Sequence, residues 1–375
     1  MIYLDNAATT FPKPDAVYDY VDWVQRNIAI NTGRGSYHVA REAMDIVESA
    51  KGKLARLVHA NSSESVVITP SATIAANEII GGMTWNDLKN VYVTPFEHNA
   101  VMRPLERMKN LYGANVFVLP FDPKTQELDE DEMNRLFTIH TPDYVFINQV
   151  SNVTGVIIPV EKIATTAKNY DAIVVVDGSQ SVGLLDIDLR KQPVDFLIFA
   201  GHKNIYASWG IGGFVINSDS KLQPFITGGT GSDSLKLSVD NLEVGSPNII
   251  SIASMDKAID WLNEIGISSI AAHKDWMISE LIGGLKESKV EMYLPGDLKN
   301  HTSVVSFNIP EYEPSEVGII MDQDFDIAVR TGFHCAPLIH KLIGTETKKG
   351  TVRVSVGYFN TVDDIHQFVA AVKDI

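Results

Sequence analysis

The sequence predicts an α/β protein with a mainly parallel central sheet in a large domain and a smaller α+β domain. Short, almost wholly apolar runs alternate with stretches of helical periodicity from about residue 15 to residue 250 of the 375-residue chain. Such apolar strands are typical of a parallel sheet that helices cover on both faces. Beyond Ser246-Pro247-Asn248 the pattern changes to one long helical stretch followed by alternating strands. These two patterns indicate two units of different architecture.

The elements of the large unit follow one another in a regular order. Strands are predicted at residues 66–69, 91–94, 115–119, 144–148, 173–176, 196–199 and 213–216. Helices are predicted between them, among others at residues 40–57, 73–80 and 160–168. In sheets of this kind the active site forms where strand ends meet loops, so polar residues just after these runs carry the most weight.

The smaller unit begins after a helix over residues 250–265 that bridges the two parts. Strands are predicted at residues 304–308, 327–330 and 352–356. A closing helix starts near Thr361, whose hydroxyl precedes two acidic residues of the kind that favour a first helical turn. We therefore expect a large domain of residues 15–250 and a small domain of residues 1–14 together with residues 251–375.

Composition excludes several classes of protein. A net charge of −16 argues against binding to nucleic acid or to an anionic membrane surface. The single cysteine excludes a disulfide framework within the chain and a zinc-ribbon cluster. No apolar run approaches the ~18 residues that span a bilayer, and the first residues lack the features of a signal peptide. We expect a soluble, cytoplasmic protein.

An aspartate and a lysine follow two successive apolar strands. Asp177 ends the run Ile173-Val174-Val175-Val176, and Lys203 follows the next run in Ala200-Gly201-His202-Lys203. Taken singly, the aspartate could cap a helix and the lysine could be a solvated loop residue. As a pair they fit a pyridoxal phosphate site, where the aspartate holds the pyridine nitrogen protonated and the lysine binds the aldehyde.

Two further segments follow strands of the same sheet. Thr69-Pro70-Ser71-Ala72-Thr73 leads into a helix whose first N–H groups, with the Thr73 hydroxyl, could hold a phosphate, although a plain helix cap is the simpler interpretation. His98, after the strand at residues 91–94, could stack on a flat cofactor or carry protons, although a lone histidine is more often structural. No nucleotide P-loop and no dinucleotide fingerprint accompany these segments.

The only cysteine lies in the polar segment Arg330-Thr331-Gly332-Phe333-His334-Cys335. A lone cysteine is usually a small buried hydrophobe, but this loop favours an accessible thiol whose thiolate nearby positive charge stabilises. A metal site built from His334, Cys335 and His340 lacks a fourth ligand. Arg330 and Arg353 are candidate clamps for a substrate carboxylate, because a guanidinium binds a carboxylate through two parallel hydrogen bonds.

Together these motifs resemble the class V aminotransferase superfamily of pyridoxal phosphate enzymes, and most closely its cysteine desulfurase and selenocysteine lyase branch. The resemblance covers the chain from end to end. It rests on Tyr3-Leu4-Asp5-Asn6-Ala7-Ala8-Thr9-Thr10, Glu97-His98, Ser151-Asn152-Val153-Thr154-Gly155, Asp177-Gly178-Ser179-Gln180, Gly201-His202-Lys203, Gly245-Ser246-Pro247-Asn248 and the segment from Arg330 to Ala336.

The resemblance implies a fold-type I pyridoxal 5′-phosphate enzyme that forms a homodimer with shared active sites. The implied catalytic residues are Lys203, Cys335 and His98, with Cys335 as the thiol that takes the sulfur. The implied cofactor contacts are Lys203 to the aldehyde, Asp177 to the pyridine nitrogen, Gln180 to the ring hydroxyl, His98 over the ring, Ala72, Thr73 and His202 to the phosphate, and Ser246 to the phosphate of the neighbouring subunit. Asn152 and Arg353 match groups near the substrate carboxylate.

The implied reaction converts L-cysteine to L-alanine and leaves a persulfide for transfer to a sulfur-acceptor protein. Selenocysteine lyase, another aminotransferase or epimerase of this superfamily, and a non-catalytic scaffold are the alternatives. Two departures concern the phosphate site: Ala200 and Ala72 stand where the family has hydroxyl side chains. Since backbone donors remain, we expect the cofactor to bind, though less tightly.

Overall fold

A seven-stranded sheet forms the centre of the large unit. The computed structural model describes residues 1–32, 35, 37–229 and 241–375. The strands lie in the order β2 (Val66–Thr69), β8 (Gly212–Ile216), β7 (Phe196–Ala200), β6 (Ile173–Asp177), β5 (Tyr144–Asn148), β3 (Asn90–Val93) and β4 (Asn115–Val118). Strand β8 runs antiparallel to both of its neighbours, and the other pairs are parallel. The predicted mainly parallel sheet is confirmed.

Successive side chains of the strands face two separate apolar clusters, as the period of two requires. On β6, Val174 and Val176 belong to one cluster and Val175 to the other. The helices that cover the sheet are α1 (Asp15–Asn27), α2 (His38–Leu57), α3 (Ala72–Gly82), α4 (Asn99–Tyr112), α5 (Glu130–Ile139), α6 (Val160–Lys168) and α7 (Ile249–Ile265). Both faces of the sheet are therefore buried, which explains the almost wholly apolar strands.

A second, antiparallel sheet lies in the C-terminal part of the chain. Its strands follow the order β12 (Arg330–Gly332), β13 (Thr351–Ser355), β10 (Val304–Asn308) and β9 (Glu291–Met292). The accompanying helices are α8 (Ile267–Lys286), α9 (Pro314–Phe325), α10 (Pro337–Leu342) and α11 (Val362–Asp374). Among the described residues, no helix combines the length and hydropathy needed to cross a membrane.

The prediction of a single strand at residues 327–330 is wrong. The chain forms two short strands there: β11 (Ile327–Ala328) pairs in parallel with β1 (Ile2–Tyr3), and β12 pairs antiparallel with β13. The segment divides because its backbone groups find two different partners. Strand β1 supplies the first pairing, so the N-terminus completes this part of the fold.

The N-terminal segment is anchored in the core of the second sheet. Leu4 is fully buried in an apolar cluster with residues of α8, α9 and α11. Helix α7, by contrast, packs against α1 and α2, and its buried face belongs to the core of the seven-stranded sheet. The exact domain boundaries at residues 14 and 250 stay a prediction.

Candidate active site

A cavity of about 250 Å³ lies at the carboxyl edge of the parallel strands. The loops that follow β2, β3, β5, β6 and β7 converge there because parallel strands all end at the same edge of the sheet. The segment after β12 also lines the cavity. Ten residues predicted for the site line the cavity: Ala72, Thr73, His98, Asn152, Asp177, His202, Lys203, Arg330, Cys335 and Arg353.

Asp177 and Lys203 both reach the cavity from adjacent strands. Asp177 is the last residue of β6, and its Oδ1 accepts a hydrogen bond from the Ser179 N–H at 2.9 Å. Lys203 follows the end of the neighbouring β7. Burial lowers the pKa of Lys203, the Asp177 carboxylate opposes this effect, and the Arg353 charge adds to it. A lowered pKa increases the neutral fraction of the amine, which is the form that acts as a nucleophile or a base.

His98 caps helix α4 with its ring. The Nδ1 atom accepts a hydrogen bond from the Ala100 N–H at 3.0 Å, so in the neutral ring the proton is on Nε2. Burial and the nearby Lys203 lower the pKa of His98 to about 4. The imidazole is therefore neutral at pH 7.

The first turn of α3 offers donors to an anion. Ser71 caps the helix by accepting from the Ile74 N–H at 3.3 Å, and the N–H groups of Ala72 and Thr73 precede the first intrahelical bond. Strand β8 approaches this turn closely, because a Cβ on Gly212 would lie only 2.5 Å from the Ala72 nitrogen. Only glycine allows this approach without displacing the turn.

His202 lines the same cavity as this turn and is stacked on an exposed tryptophan. The rings of His202 and Trp209 are 4.1 Å apart with an angle of 19° between them. Burial lowers the pKa of His202 to about 3, so the ring is neutral. Its buried Nδ1 has no hydrogen-bond partner within the described part of the chain. Because buried polar groups are normally paired, this atom indicates a ligand at this end of the cavity.

Arg353 is buried between the N-terminal segment and the loop after β5. Its guanidinium donates to the Asn152 carbonyl at 2.9 Å and to Asp5 Oδ1 at 2.5 Å. Arg330 is half exposed, and its nearest guanidinium nitrogen lies 3.6 Å from Asp5 Oδ2. Sequence reasoning missed Asp5. An acidic residue directly after the apolar pair Tyr3-Leu4 was the available signal, since a carboxylate in such a place needs a partner.

Cys335 is exposed on a loop that two contacts hold against the cavity. Its own carbonyl accepts from the Asn99 N–H at 2.7 Å, and the preceding His334 carbonyl accepts from Asn152 Nδ2 at 2.7 Å. Both His334 and Cys335 have left-handed backbone conformations, with φ values of 48° and 58°. Two such residues in succession are uncommon and need surrounding contacts to persist. The thiol is therefore accessible and attached to a fixed backbone.

The structure does not bring two of the predicted residues into the cavity of their own chain. The Gln180 side chain is buried and donates through Nε2 to the Ala7 carbonyl at 2.7 Å. Ser246 is exposed, and its hydroxyl accepts from Asn31 Nδ2 at 3.2 Å. Sequence reasoning also missed Ser179 and Trp209, which line the cavity. Within the described residues, no group of three or more metal-ligating side chains is arranged to hold a metal ion.

Comparison with known proteins finds relatives over the whole length of the chain. The family described as Aminotransferase class-V matches residues 2–368. A probable cysteine desulfurase of Pyrococcus abyssi is 30% identical over 388 residues, which cover 100% of this chain and 94% of the relative. A probable cysteine desulfurase of Methanothermobacter thermautotrophicus is 31% identical, with the same shares covered.

A solved structure has the same fold. The apo structure of a cysteine desulfurase from Thermococcus onnurineus NA1 matches with a TM-score of 0.92 and 30% identity. The match covers 100% of this chain and 94% of the other. Fold and sequence similarity thus extend together over both sheets.

Proposed function

Because this chain belongs to the aminotransferase class-V family, we propose that it is a pyridoxal 5′-phosphate-dependent cysteine desulfurase that converts L-cysteine to L-alanine. One observation carries the proposal: the exposed Cys335 lines the same cavity as Lys203 and Asp177. An aminotransferase has no use for a thiol at this point. The relatives named as probable cysteine desulfurases and the solved structure named as a cysteine desulfurase support the same function.

The residues of the cavity fit pyridoxal 5′-phosphate. The α3 N-terminus and the unpartnered His202 Nδ1 suit its phosphate, Asp177 suits its pyridinium nitrogen, and Lys203 suits its aldehyde. Ala72 and Ala200 provide no hydroxyl groups to the phosphate, but the backbone and imidazole donors remain in place. When bound, the cofactor supplies an electron sink for bonds broken at the substrate Cα.

Lys203 has the properties required for two tasks at one atom. The lowered pKa of its Nζ favours the neutral amine, which can bind an aldehyde and can later take the proton from the substrate Cα. The Asp177 carboxylate holds a positive charge at its end of the site by charge-assisted hydrogen bonding. His98, neutral at pH 7, can donate a hydrogen bond from Nε2 into the cavity.

Cys335 would take the sulfur atom as a persulfide. Its thiolate attacks the substrate sulfur, an S–S bond forms and the C–S bond breaks, while carbon keeps the electron pair and gains a proton to give alanine. Arg330 is the better candidate to bind the substrate carboxylate, because the guanidinium of Arg353 is already engaged by Asp5 and Asn152.

The decisive test is Cys335→Ser. A serine hydroxyl keeps the size of the side chain but is far less nucleophilic at neutral pH, so the variant should bind the cofactor while losing almost all release of sulfur from cysteine. The measurements are alanine formed per minute and the mass added to Cys335 in the parent. Alanine production from cysteine at the parental rate would contradict the desulfurase proposal and favour another reaction of the family.

Selenocysteine, assayed in parallel, separates the lyase alternative. Selenium leaves carbon more readily than sulfur, so activity of Cys335→Ser retained on selenocysteine alone would indicate a selenocysteine lyase. Lys203→Ala should abolish turnover on both substrates and still bind the cofactor non-covalently, since the α3 N-terminus is untouched.

We also propose a homodimer, a sulfur-acceptor protein as partner and a cytoplasmic location. The exposed Ser246 lies outside its own cavity, which supports a contact with the phosphate site of a second copy. The exposed thiol of Cys335 suits delivery of sulfur to another protein, and a reducing compartment would keep that thiol available for the reaction. Sedimentation analysis and a mixed pair of Ser246→Ala and Lys203→Ala chains test the shared site.

A further inference from the structure

Two buried lysines flank Lys203 without lining the cavity. Lys13 is 7% exposed, and its Nζ donates to Thr10 Oγ1 at 2.7 Å and to the His202 carbonyl at 2.8 Å. Lys274, on α8, is 1% exposed, and its Nζ donates to Asn204 Oδ1 at 2.6 Å. One lysine thus contacts the residue before Lys203 and the other the residue after it.

Both lysines are costly to bury. Lysine is almost never fully buried unless its charge is paired, and no ion pair is formed by either lysine among the described residues. Burial lowers the pKa of each to about 7, with Asp275 as the one charged group that counteracts this effect at Lys274. Two neutral methionines of similar length would avoid that cost. What the lysines offer instead is N–H donors, three in the charged form and two in the neutral form.

Lys274 binds the Asn204 side chain at its amide oxygen. The Gln180 carbonyl can only accept, so Asn204 must turn its Nδ2 toward that carbonyl and its Oδ1 toward Lys274, whose Nζ can donate in either charge state. The Nδ2 atom then donates to the Gln180 carbonyl at 2.6 Å. The Gln180 side chain in turn donates to the Ala7 carbonyl. One line of hydrogen bonds therefore joins α8 to the segment that begins at Asp177.

Lys13 completes the other side. The His202 carbonyl that it binds also accepts from Thr9 Oγ1 at 2.9 Å and from the Thr10 N–H at 3.1 Å. The Lys203 carbonyl accepts from Thr10 Oγ1 at 3.0 Å. The backbone on both sides of Lys203 is thereby held from two separate parts of the chain.

We propose that Lys13 and Lys274 are positioning residues that clamp residues 202–204 and so aim the Lys203 amine into the cavity. The inference rests on the proposed function, because it assumes that Lys203 forms the covalent link to the cofactor. Neither lysine contacts the reacting atoms, so both act through the backbone and side chains of the residues beside Lys203.

The test distinguishes an effect on the position of the Lys203 amine from an effect on the remaining cofactor contacts. Lys274→Met and Lys13→Met are prepared without cofactor, pyridoxal 5′-phosphate is added, and covalent attachment is trapped with borohydride and located by mass. The same two substitutions in a Lys203→Ala background give the dissociation constant for non-covalent binding. Lys286→Met is the matched control, because Lys286 is an exposed lysine on the same helix as Lys274.

We expect the rate of covalent attachment to fall about tenfold or more, since small errors in the position of a reacting group have effects of this size. The dissociation constant in the Lys203→Ala background should change less than twofold, and Lys286→Met should match the parent in both measurements. Equal losses in both measurements would indicate general loosening of the site and would overturn the proposal, as would unchanged attachment.

A second variant covers the case in which Lys274→Met fails to fold. Asn204→Asp keeps an acceptor for Lys274 but loses the N–H that binds the Gln180 carbonyl, so it breaks only the second contact of the line. It too should slow attachment at unchanged non-covalent affinity. If the parent itself attaches no cofactor at Lys203, the proposed function fails; if the parent attaches it and all variants do so equally fast, only the clamp fails.

Discussion

At the scale of single residues, the site depends on ionisable groups whose pKa values burial shifts in opposite directions. Burial lowers the pKa of Lys203 and of His98, which leaves a neutral imidazole and favours a neutral amine beside the Asp177 carboxylate. Behind them, Glu97 is fully buried, and its Oε1 accepts from Thr94 Oγ1 at 2.8 Å and from the Asn148 N–H at 2.6 Å. Burial, and then the charge of Asp177, raise the pKa of Glu97 to about 8. Glu97 is therefore mainly protonated at pH 7.

The stability of the Glu97→Gln variant relative to the parent should increase as the pH rises. A carboxyl whose pKa is raised in the folded state keeps its proton there at a pH at which the unfolded chain has already lost it. The free energy of unfolding of the parent therefore decreases as the pH rises from 4.5, the ordinary pKa, to about 8, the pKa in the folded state. The amide of the variant is neutral at every pH, so its free energy of unfolding does not decrease in this way. Urea unfolding at pH 5 and at pH 8 should therefore show a larger stability difference in favour of the variant at pH 8. The exposed Glu42→Gln is the control, and parallel pH curves for Glu97→Gln and parent would contradict the prediction.

At the scale of elements, the proposed phosphate end of the cavity depends on how closely β8 approaches the first turn of α3. Gly212→Ala places a Cβ 2.5 Å from the Ala72 nitrogen and 2.7 Å from the Ser71 carbonyl carbon, and these backbone atoms cannot turn aside. We expect a loss of about 1–3 kcal/mol in the free energy of unfolding. We also expect weaker non-covalent binding of pyridoxal 5′-phosphate, measured in the Lys203→Ala background.

Gly283→Ala is the matched control for this change. Gly283 lies in α8, and a Cβ there meets nothing within 4 Å. Alanine in an open helical position stabilises by about 0.5–1 kcal/mol relative to glycine. The same Gly→Ala substitution should thus lower the free energy of unfolding at position 212 and raise it at position 283. A Gly212→Ala variant with parental stability and cofactor affinity would show that the turn does not need this approach.

At the scale of the whole molecule, the N-terminal segment connects the second sheet to the cavity. Leu4 is buried among residues of α8, α9 and α11, and the next residue, Asp5, binds Arg353 of β13. Asn6 continues the connection, donating through Nδ2 to the Ser355 carbonyl at 3.1 Å. The first residues therefore hold the cavity wall as well as the small sheet.

Asp5→Asn should destabilise the whole fold and not only the site. The substitution leaves the buried guanidinium of Arg353 without a counter-charge, and breaking a buried pair on one side costs about 3 kcal/mol or more. Unfolding in urea measures the loss. Asp15→Asn, at an exposed position in the first turn of α1, is the control and should stay within about 0.5 kcal/mol of the parent. Equal stability of Asp5→Asn and Asp15→Asn would contradict the role of the pair.

The sequence by itself determined the sheet and the residues at its carboxyl edge. The strands at residues 66–69, 144–148 and 304–308 and the helix at residues 160–168 occur at the predicted bounds. Their apolar periodicity is a local property, set by which faces are buried, so it can be read without the fold. The same reasoning found Asp177, Lys203 and His98, because parallel strands bring their following residues to one edge wherever they lie in the chain.

Only the tertiary structure decided the pairings between distant segments. Asp5 binds Arg353 across 348 positions, Lys13 and Lys274 reach the two sides of Lys203, and residues 327–330 divide between two partners. No local pattern encodes these contacts, since a buried charge or backbone group only requires some partner and does not say which one. The partner depends on which chain segments the folded core brings together, and that depends on the packing of both sheets at once.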